Sequence, residues 1–215
     1  MKKLVMFDLD GTLVDTIDDI KNAVNYVLLQ LNLKERTKDE ILSFVGDGIK
    51  MLILRALNNR EDNLEVALKL FKEYYKDHCL DYSKAYPKIY DLLSMLKSKN
   101  VKMAVVSNKE NSLTNKICNN LFIEYMDMFI GEQPNFRKKP EFDGLQYVLD
   151  YYNVAKEDSI YIGDSEVDYY TCINGNIDSI IVSYGFRNKE FLLKKGINKT
   201  CSNVDELIFE LKKII

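Results

Sequence analysis

Leu4-Val5-Met6-Phe7 is an unbroken apolar run that stops abruptly at an aspartate. A short run of this kind, with no helical period, predicts a strand buried on both faces. The period then lengthens. Ile17, Ile20, Val24, Val27/Leu28 and Leu31 recur at helical spacing, with Asp18 and Asp19 in the first turn, where acids complement the helix dipole. Three further helical patterns follow: Ile41, Leu42 and Val45; Ile49, Leu52, Ile53, Ala56 and Leu57; and Leu64, Ala67/Leu68, Phe71, Tyr74/Tyr75 and His78. No strand pattern is legible from about 16 to 82, which predicts a helical insert.

From Tyr86-Pro87 onward the two periods alternate. Pro87 suits the opening of a helix, continued by Ile89, Leu92, Leu93 and Leu96. Strands are predicted over 101–106, 128–130, 160–162 and 179–182. Between and after them lie helical patterns: Leu113, Ile117 and Leu121; Phe142, Leu145, Val148/Leu149 and Tyr152; residues 165–174; and Val204, Leu207, Ile208 and Leu211. Apolar strands alternating with helices predict an α/β fold with a doubly wound, mostly parallel sheet. The expected division is a core from 1–15 and 83–215, with 16–82 as a separate helical domain. There is no internal repeat and no low-complexity linker.

Composition narrows the functional classes. The chain is 47% hydrophobic, enough for a substantial core, and its net charge of -3 argues against a nucleic-acid partner. No apolar run is long enough to span a membrane, and the N-terminus has no signal-peptide pattern, so a cytoplasmic protein without membrane partners is expected. Cys79, Cys118, Cys172 and Cys201 are widely spaced, as expected for reduced, buried thiols. The single histidine, His78, argues against a Ser-His-Asp or Cys-His enzyme and against a zinc site.

The chemistry gathers at predicted strand ends. The first strand runs into Asp8-Leu9-Asp10-Gly11-Thr12. Carboxylates so placed repel one another unless a cation joins them, and a hard divalent ion such as Mg²⁺ prefers oxygen ligands. Ser107-Asn108 follows the strand at 101–106, and Gly163-Asp164-Ser165-Glu166-Val167-Asp168 follows the strand at 160–162. Lys138-Lys139-Pro140 lies on a loop before a helix. Ligands of open α/β sheets bind outside the carboxyl ends of the strands, so these groups are expected to converge. Asp15, Asp18 and Asp19 read as acids of a helix N-terminus. Gly46-Asp47-Gly48 reads equally as a helix–helix turn or as a ligand-facing loop.

Taken in order, these motifs resemble those of the haloacid dehalogenase superfamily of phosphatases, over the whole chain. Asp8-Leu9-Asp10-Gly11-Thr12 resembles the first family motif, Ser107 the second, Lys139 the third, and Gly163-Asp164-Ser165-x-x-Asp168 the fourth. The insert resembles the family's helical cap. Gly46-Asp47-Gly48, Tyr86-Pro87, Ser107-Asn108-Lys109 and Tyr184-Gly185-Phe186 look closest to the phosphoglycolate phosphatase branch. Lys139 is favoured over Lys138 because it precedes Pro140, as in the family pattern. Phe142 stands where relatives often carry a second proline.

The resemblance implies a Mg²⁺-dependent phosphomonoester hydrolase acting on a small phosphorylated metabolite, with 2-phosphoglycolate as one candidate. It implies that Asp8 is the nucleophile and Asp10 the acid/base. Asp8, Asp164 and the Asp10 backbone carbonyl would hold the metal. Ser107 and Lys139 would contact the phosphoryl group, as would backbone N–H groups near Gly11 and Asn108. Asp168, beside Gly163 in the fourth motif, would support Lys139 or metal-bound water. Alternatives within the superfamily are a sugar phosphomutase resembling β-phosphoglucomutase, or a pyrophosphatase or nucleotidase. A non-catalytic binding protein on the same scaffold is the alternative from another class. A monomer or small homo-oligomer is expected.

Overall fold

The computed structural model describes residues 1–126 and 128–215. Two compact units divide the chain, one from Met1–Val14 with Ala85–Ile215 and the other from Asp15–Lys84. The chain opens with β1 (Leu4–Phe7) and reaches the second unit through the two-residue strand β2 (Val14–Asp15). Four helices follow: α1 (Ile17–Gln30), α2 (Lys38–Phe44), α3 (Ile49–Ala56) and α4 (Leu64–His78). The short strand β3 (Lys84–Ala85) returns the chain to the first unit.

The second unit is helical for the reasons its periodicity gave. Ile17, Ile20, Ala23, Val24, Val27 and Leu28 are the buried stripe of α1, and Leu64, Ala67, Phe71 and Tyr75 that of α4. Thr37 and Glu40 cap α2 reciprocally, each side chain bonding the other's backbone N–H. Arg55 pins the turn between α2 and α3 by donating to the Phe44 carbonyl at 2.7 Å and to Asp47 Oδ2 at 2.5 Å. Asp19 does more than complement a helix dipole. It is buried, and its carboxylate accepts the backbone N–H groups of Tyr82 and Ser83 at 2.8 to 3.1 Å. His78 ends α4, stacked on Tyr74 at 4.2 Å and 2.7 Å from Asp81.

The first unit continues with α5 (Ile89–Ser98), β4 (Lys102–Glu110), α6 (Asn111–Leu121), β5 (Met128–Glu132) and α7 (Asp143–Tyr152). It ends with β6 (Ser159–Gly163), α8 (Glu166–Gly175), β7 (Asp178–Val182), α9 (Lys189–Lys194), β8 (Thr200–Cys201) and α10 (Val204–Lys212). Six strands form one sheet in the order β5-β4-β1-β6-β7-β8, with every pairing parallel. The strand β1 is central, its four residues inaccessible to solvent, with Phe7 opposite Val105 on one side and Ile162 on the other. Leu4, Met6, Ala104, Val106, Leu145, Val148 and Tyr161 share one core cluster. The strand order reverses at β1, and such a reversal opens a crevice at the carboxyl ends.

The doubly wound α/β expectation holds, with differences in detail. The strand at 101–106 begins at Lys102 and runs on to Glu110, so Ser107, Asn108 and Lys109 lie within it, beside a register shift against β5. The two-residue strands β2, β3 and β8, and the six-residue helix α9, are too short to carry a period. All four cysteines are buried and none is in a disulfide. Among the described residues, no helix is long and apolar enough to cross a membrane.

Candidate active site

The polar groups that follow these strands meet at the carboxyl edge of the sheet. Asp8 directly follows β1, and its backbone N–H continues the ladder by donating to the Ile162 carbonyl at 2.8 Å. Its side chain meets the ammonium of Lys139, which lies 2.8 Å from Asp8 Oδ1 and 2.7 Å from Asp168 Oδ1. All three residues are buried. Lys138 instead pairs with Glu132 at 2.9 Å on the surface.

Several contacts hold Lys139. Its ammonium also donates to the Tyr161 hydroxyl at 2.8 Å, and that hydroxyl lies 2.9 Å from the Val106 carbonyl. The Asn108 side chain braces the lysine backbone, accepting the Lys139 N–H at 2.8 Å and donating to the Lys139 carbonyl at 3.0 Å. Asp168 has a second task. Its Oδ2 accepts the Ser165 N–H at 3.1 Å and hydroxyl at 2.6 Å, while Ser165 Oγ accepts the Asp168 N–H, so one residue caps α8 and anchors Lys139.

Asp164 is nearly inaccessible, and its Oδ2 accepts the Phe186 N–H at 2.6 Å. Two glycines make room for it. Gly11 sits at φ +84°, and a Cβ there would lie 2.3 Å from Asp164 Oδ2. A Cβ on Gly185 would come within 2.1 Å of the Gly11 carbonyl oxygen and 2.6 Å of Asp164 Oδ2. Gly163 likewise yields to Asp168, whose Cγ would stand 2.3 Å from a Cβ there. Ser107 is buried, and its Oγ accepts the Lys109 N–H at 3.3 Å.

Asp8, Asp164 and Asp168 each bring a carboxylate oxygen within 4.8 Å of the others. Burial pushes the Asp8 carboxyl up to about 6, and Asp168 and Asp10 add to the rise, against the lowering by Lys139. Burial, then Asp168 and Asp8, also raise the Asp164 carboxyl well above the usual range. Lys139 is held above the ordinary lysine value, because Asp168 and Asp8 outweigh the opposing effect of burial. Asp8 Oδ1 is buried and, beyond its ion pair with Lys139, accepts no hydrogen bond. Clustered buried oxygens of this kind, short of positive charge, fit a hard divalent cation such as Mg²⁺.

The second aspartate of the first motif lies in a different setting. Asp10 accepts two contacts from the Lys109 ammonium, at 3.0 and 2.9 Å. In the sequence Lys109 drew attention only as the last residue of Ser107-Asn108-Lys109, with no role attached, and Tyr161 did not stand out. Lys109 shares a strand with Ser107 at a separation of two, the spacing that puts side chains on one face, and that was its available signal. Tyr161 reads as one more apolar strand position, paired with Met6 in the register.

The haloacid dehalogenase-like hydrolase family model matches residues 5–182. A phosphoglycolate phosphatase of Colwellia psychrerythraea is 32% identical over 221 residues, covering 99% of this chain and 98% of its own length. A phosphoglycolate phosphatase of Aquifex aeolicus is 34% identical over 169 residues, covering 77% of this chain and 78% of its own. Among solved structures, a Lactobacillus delbrueckii subsp. bulgaricus protein described as a candidate phosphoglycolate phosphatase superposes with a TM-score of 0.92 at 33% identity, covering 97% of this chain and 98% of its own.

Proposed function

The chain belongs to the haloacid dehalogenase-like hydrolases and is a phosphatase of that family; on that premise we propose that it hydrolyses a small phosphomonoester, 2-phosphoglycolate, through a phosphorylated Asp8 and with bound Mg²⁺. The observation that carries the mechanism is the buried group of Asp8, Lys139, Asp164 and Asp168. The names borne by full-length relatives at about one-third identity support the substrate.

Asp8 attacks phosphorus through a carboxylate oxygen, and the bond from phosphorus to the leaving oxygen breaks. Asp10 gives that oxygen a proton. In the second half Asp10 takes a proton from water, the water oxygen bonds to phosphorus, and the bond from phosphorus to Asp8 breaks, which releases inorganic phosphate and returns Asp8 as a carboxylate. One hard displacement becomes two easier ones. Lys139 neutralises charge on the phosphoryl oxygens, and Asp168 with Tyr161 holds the ammonium in place. Ser107 and backbone N–H groups near Asn108 bind the remaining phosphoryl oxygens; the Gly11 N–H, expected to join them, is instead spent on the Val14 carbonyl at 2.9 Å. Asp8 and Asp164, with the Asp10 carbonyl, are the residues that would hold Mg²⁺. When bound, the ion supplies the positive charge that lets a carboxylate approach an anionic phosphate. Residues 15–84 take the role of the family's cap, the part that selects the substrate.

Phosphate release from 2-phosphoglycolate and other small monoesters, with and without Mg²⁺, tests this reading. The expected result is Mg²⁺-dependent hydrolysis with 2-phosphoglycolate preferred, abolished in Asp8→Asn. A preference for another ester overturns the substrate. Conversion of glucose 1-phosphate to glucose 6-phosphate without free phosphate would make the protein a mutase. An Asp8→Asn variant as fast as wild type removes the mechanism.

A further inference from the structure

Lys109 and Lys139 are the two buried lysines among the described residues. Lys139 has its place in the phosphoryl site, whereas Lys109 makes a different pair. Its ammonium grips both oxygens of Asp10, at 3.0 and 2.9 Å. Within that pair the Asp10 side chain is 19% exposed and that of Lys109 only 5%. Asp10 is therefore the partner that meets a ligand, and Lys109 stands behind it. An ammonium offers several donors and no acceptor, so contact with both oxygens constrains the plane of the carboxylate as well as its position. Lys109 is itself fixed in β4: its N–H donates to Ser107 Oγ at 3.3 Å, and its carbonyl accepts the Thr114 hydroxyl at 3.2 Å.

An acid/base group that must serve a leaving oxygen and then a water depends on fixed orientation, because misplacement by about 1 Å is enough to lower a rate on the order of 100-fold. We propose that Lys109 is the positioning residue of the proton-transfer step, holding Asp10 in the orientation from which its carboxyl reaches the leaving oxygen. The inference rests on the assignment of Asp10 as acid/base given above. In that step an Asp8 oxygen bonds to phosphorus. The bond from phosphorus to the leaving oxygen breaks with its electron pair, and the Asp10 carboxyl proton moves onto that oxygen. Asp10 is left as a carboxylate against the Lys109 ammonium.

Two esters separate this role from a merely structural one. An alkyl phosphate needs its leaving oxygen protonated, whereas 4-nitrophenyl phosphate releases a stable phenolate without help. The measured quantity is kcat/KM, which reports the transfer to Asp8. Lys109→Met is expected to lower it about 100-fold on the alkyl ester and less than about 3-fold on the aryl ester, in line with the usual size of general acid catalysis. Lys109→Arg is expected to restore part of the alkyl activity. Asp10→Asn should discriminate in the same way, and the double variant should be no worse than Asp10→Asn alone, because the two residues act as one unit. Should Lys109→Met fail to fold, Lys109→Gln and Lys109→Arg carry the same comparison. Equal losses on both esters, or additive losses in the double variant, overturn the inference. Discrimination by Asp10→Asn without discrimination at Lys109 removes the role of Lys109 alone. Absence of discrimination by Asp10→Asn removes the acid role itself, and this inference with it.

Discussion

Asn108 and Lys139 hold each other through two hydrogen bonds between one side chain and one backbone, with the Lys139 N–H reaching Asn108 Oδ1 at 2.8 Å and Asn108 Nδ2 reaching the Lys139 carbonyl at 3.0 Å. The pair spans 31 residues and ties the end of β4 to the loop that delivers the buried lysine. The side chain of Asn108 thus acts on the position of Lys139, whatever its backbone contributes to binding phosphate. Asn108→Ala removes both bonds and leaves a backbone N–H and a carbonyl to find water. The expected loss is about 1–3 kcal/mol of stability in urea unfolding. A fall in kcat of about 10-fold should accompany it, since the lysine is no longer held in register. Wild-type kcat in a folded Asn108→Ala variant would show that Lys139 keeps its place without the brace.

How much of this was legible before the structure follows from what each residue presents in sequence. The strand at Leu4–Phe7 announces itself because a parallel strand covered on both faces has no polar side to show. Asp8, Asp10, Ser107, Asp164 and Asp168 are conspicuous because each follows an apolar run, and Lys139 because it precedes a proline. Their partners are harder to see. Lys109 is one of many lysines, and its burial depends on a contact with Asp10 across 99 positions. Tyr161 carries its function on one oxygen at the tip of an otherwise apolar ring. Asp19 reads as a first-turn acid, and its bonds to Tyr82 and Ser83 reach across 63 and 64 positions. The strands β2, β3 and β8, at two residues each, have no repeat to detect.

The carboxylate cluster makes stability and metal affinity depend on pH in opposite directions. Burial raises the Asp8 carboxyl from 3.8 to about 6 and raises Asp164 as well. A carboxyl whose folded value lies above its unfolded value binds more protons when folded. Its contribution is therefore complete below the unfolded value and is lost as pH rises through the folded one. Metal-free protein should accordingly melt at a lower temperature at pH 7 than at pH 5. Mg²⁺ competes with those protons, so the increase in Tm on adding Mg²⁺ should be larger at pH 7.5 than at pH 5 (pH values on the order of those that bracket a buried carboxyl). A Mg²⁺-induced shift that is the same at both pH values would exclude these carboxylates as the metal ligands. Melting curves with EDTA or excess Mg²⁺ make the comparison.

Gly185 packs against the same site from the opposite end of the sequence. A Cβ there would stand 2.1 Å from the Gly11 carbonyl oxygen and 2.6 Å from Asp164 Oδ2, so either a backbone carbonyl or a carboxylate must move. Both belong to the proposed Mg²⁺ surroundings, one as a neighbour of Asp10 and the other as a ligand. Gly185→Ala is expected to weaken Mg²⁺ binding about 10- to 100-fold, the usual size of a disturbed supporting contact. The Mg²⁺ concentration for half-maximal activity reads this directly, and saturating Mg²⁺ should recover most of kcat. An unchanged Mg²⁺ requirement would mean that the metal does not depend on the Asp164 position seen here.

Asp19 supports a prediction confined to the helical unit. Its carboxylate is buried and receives four contacts from two successive residues: the Tyr82 N–H at 3.0 and 3.1 Å, the Ser83 N–H at 2.8 Å and the Ser83 hydroxyl at 2.6 Å. The segment just beyond α4 is thereby fastened to the first turn of α1, so that the two ends of the unit meet at one side chain. Asp19→Ala leaves two backbone N–H groups without their acceptor, at a cost of about 1–3 kcal/mol. Asp19→Asn keeps the shape and one acceptor oxygen but gives up the charge, and should lose less. The loss has a local signature, because the opened groups are the amides of Tyr82 and Ser83. Hydrogen exchange at those two amides should quicken in Asp19→Ala, while amides within β1, β4 and β6 keep their wild-type protection. Uniform loss of protection across both units would instead make Asp19 a determinant of global stability, and unchanged exchange at Tyr82 and Ser83 would remove it as their anchor.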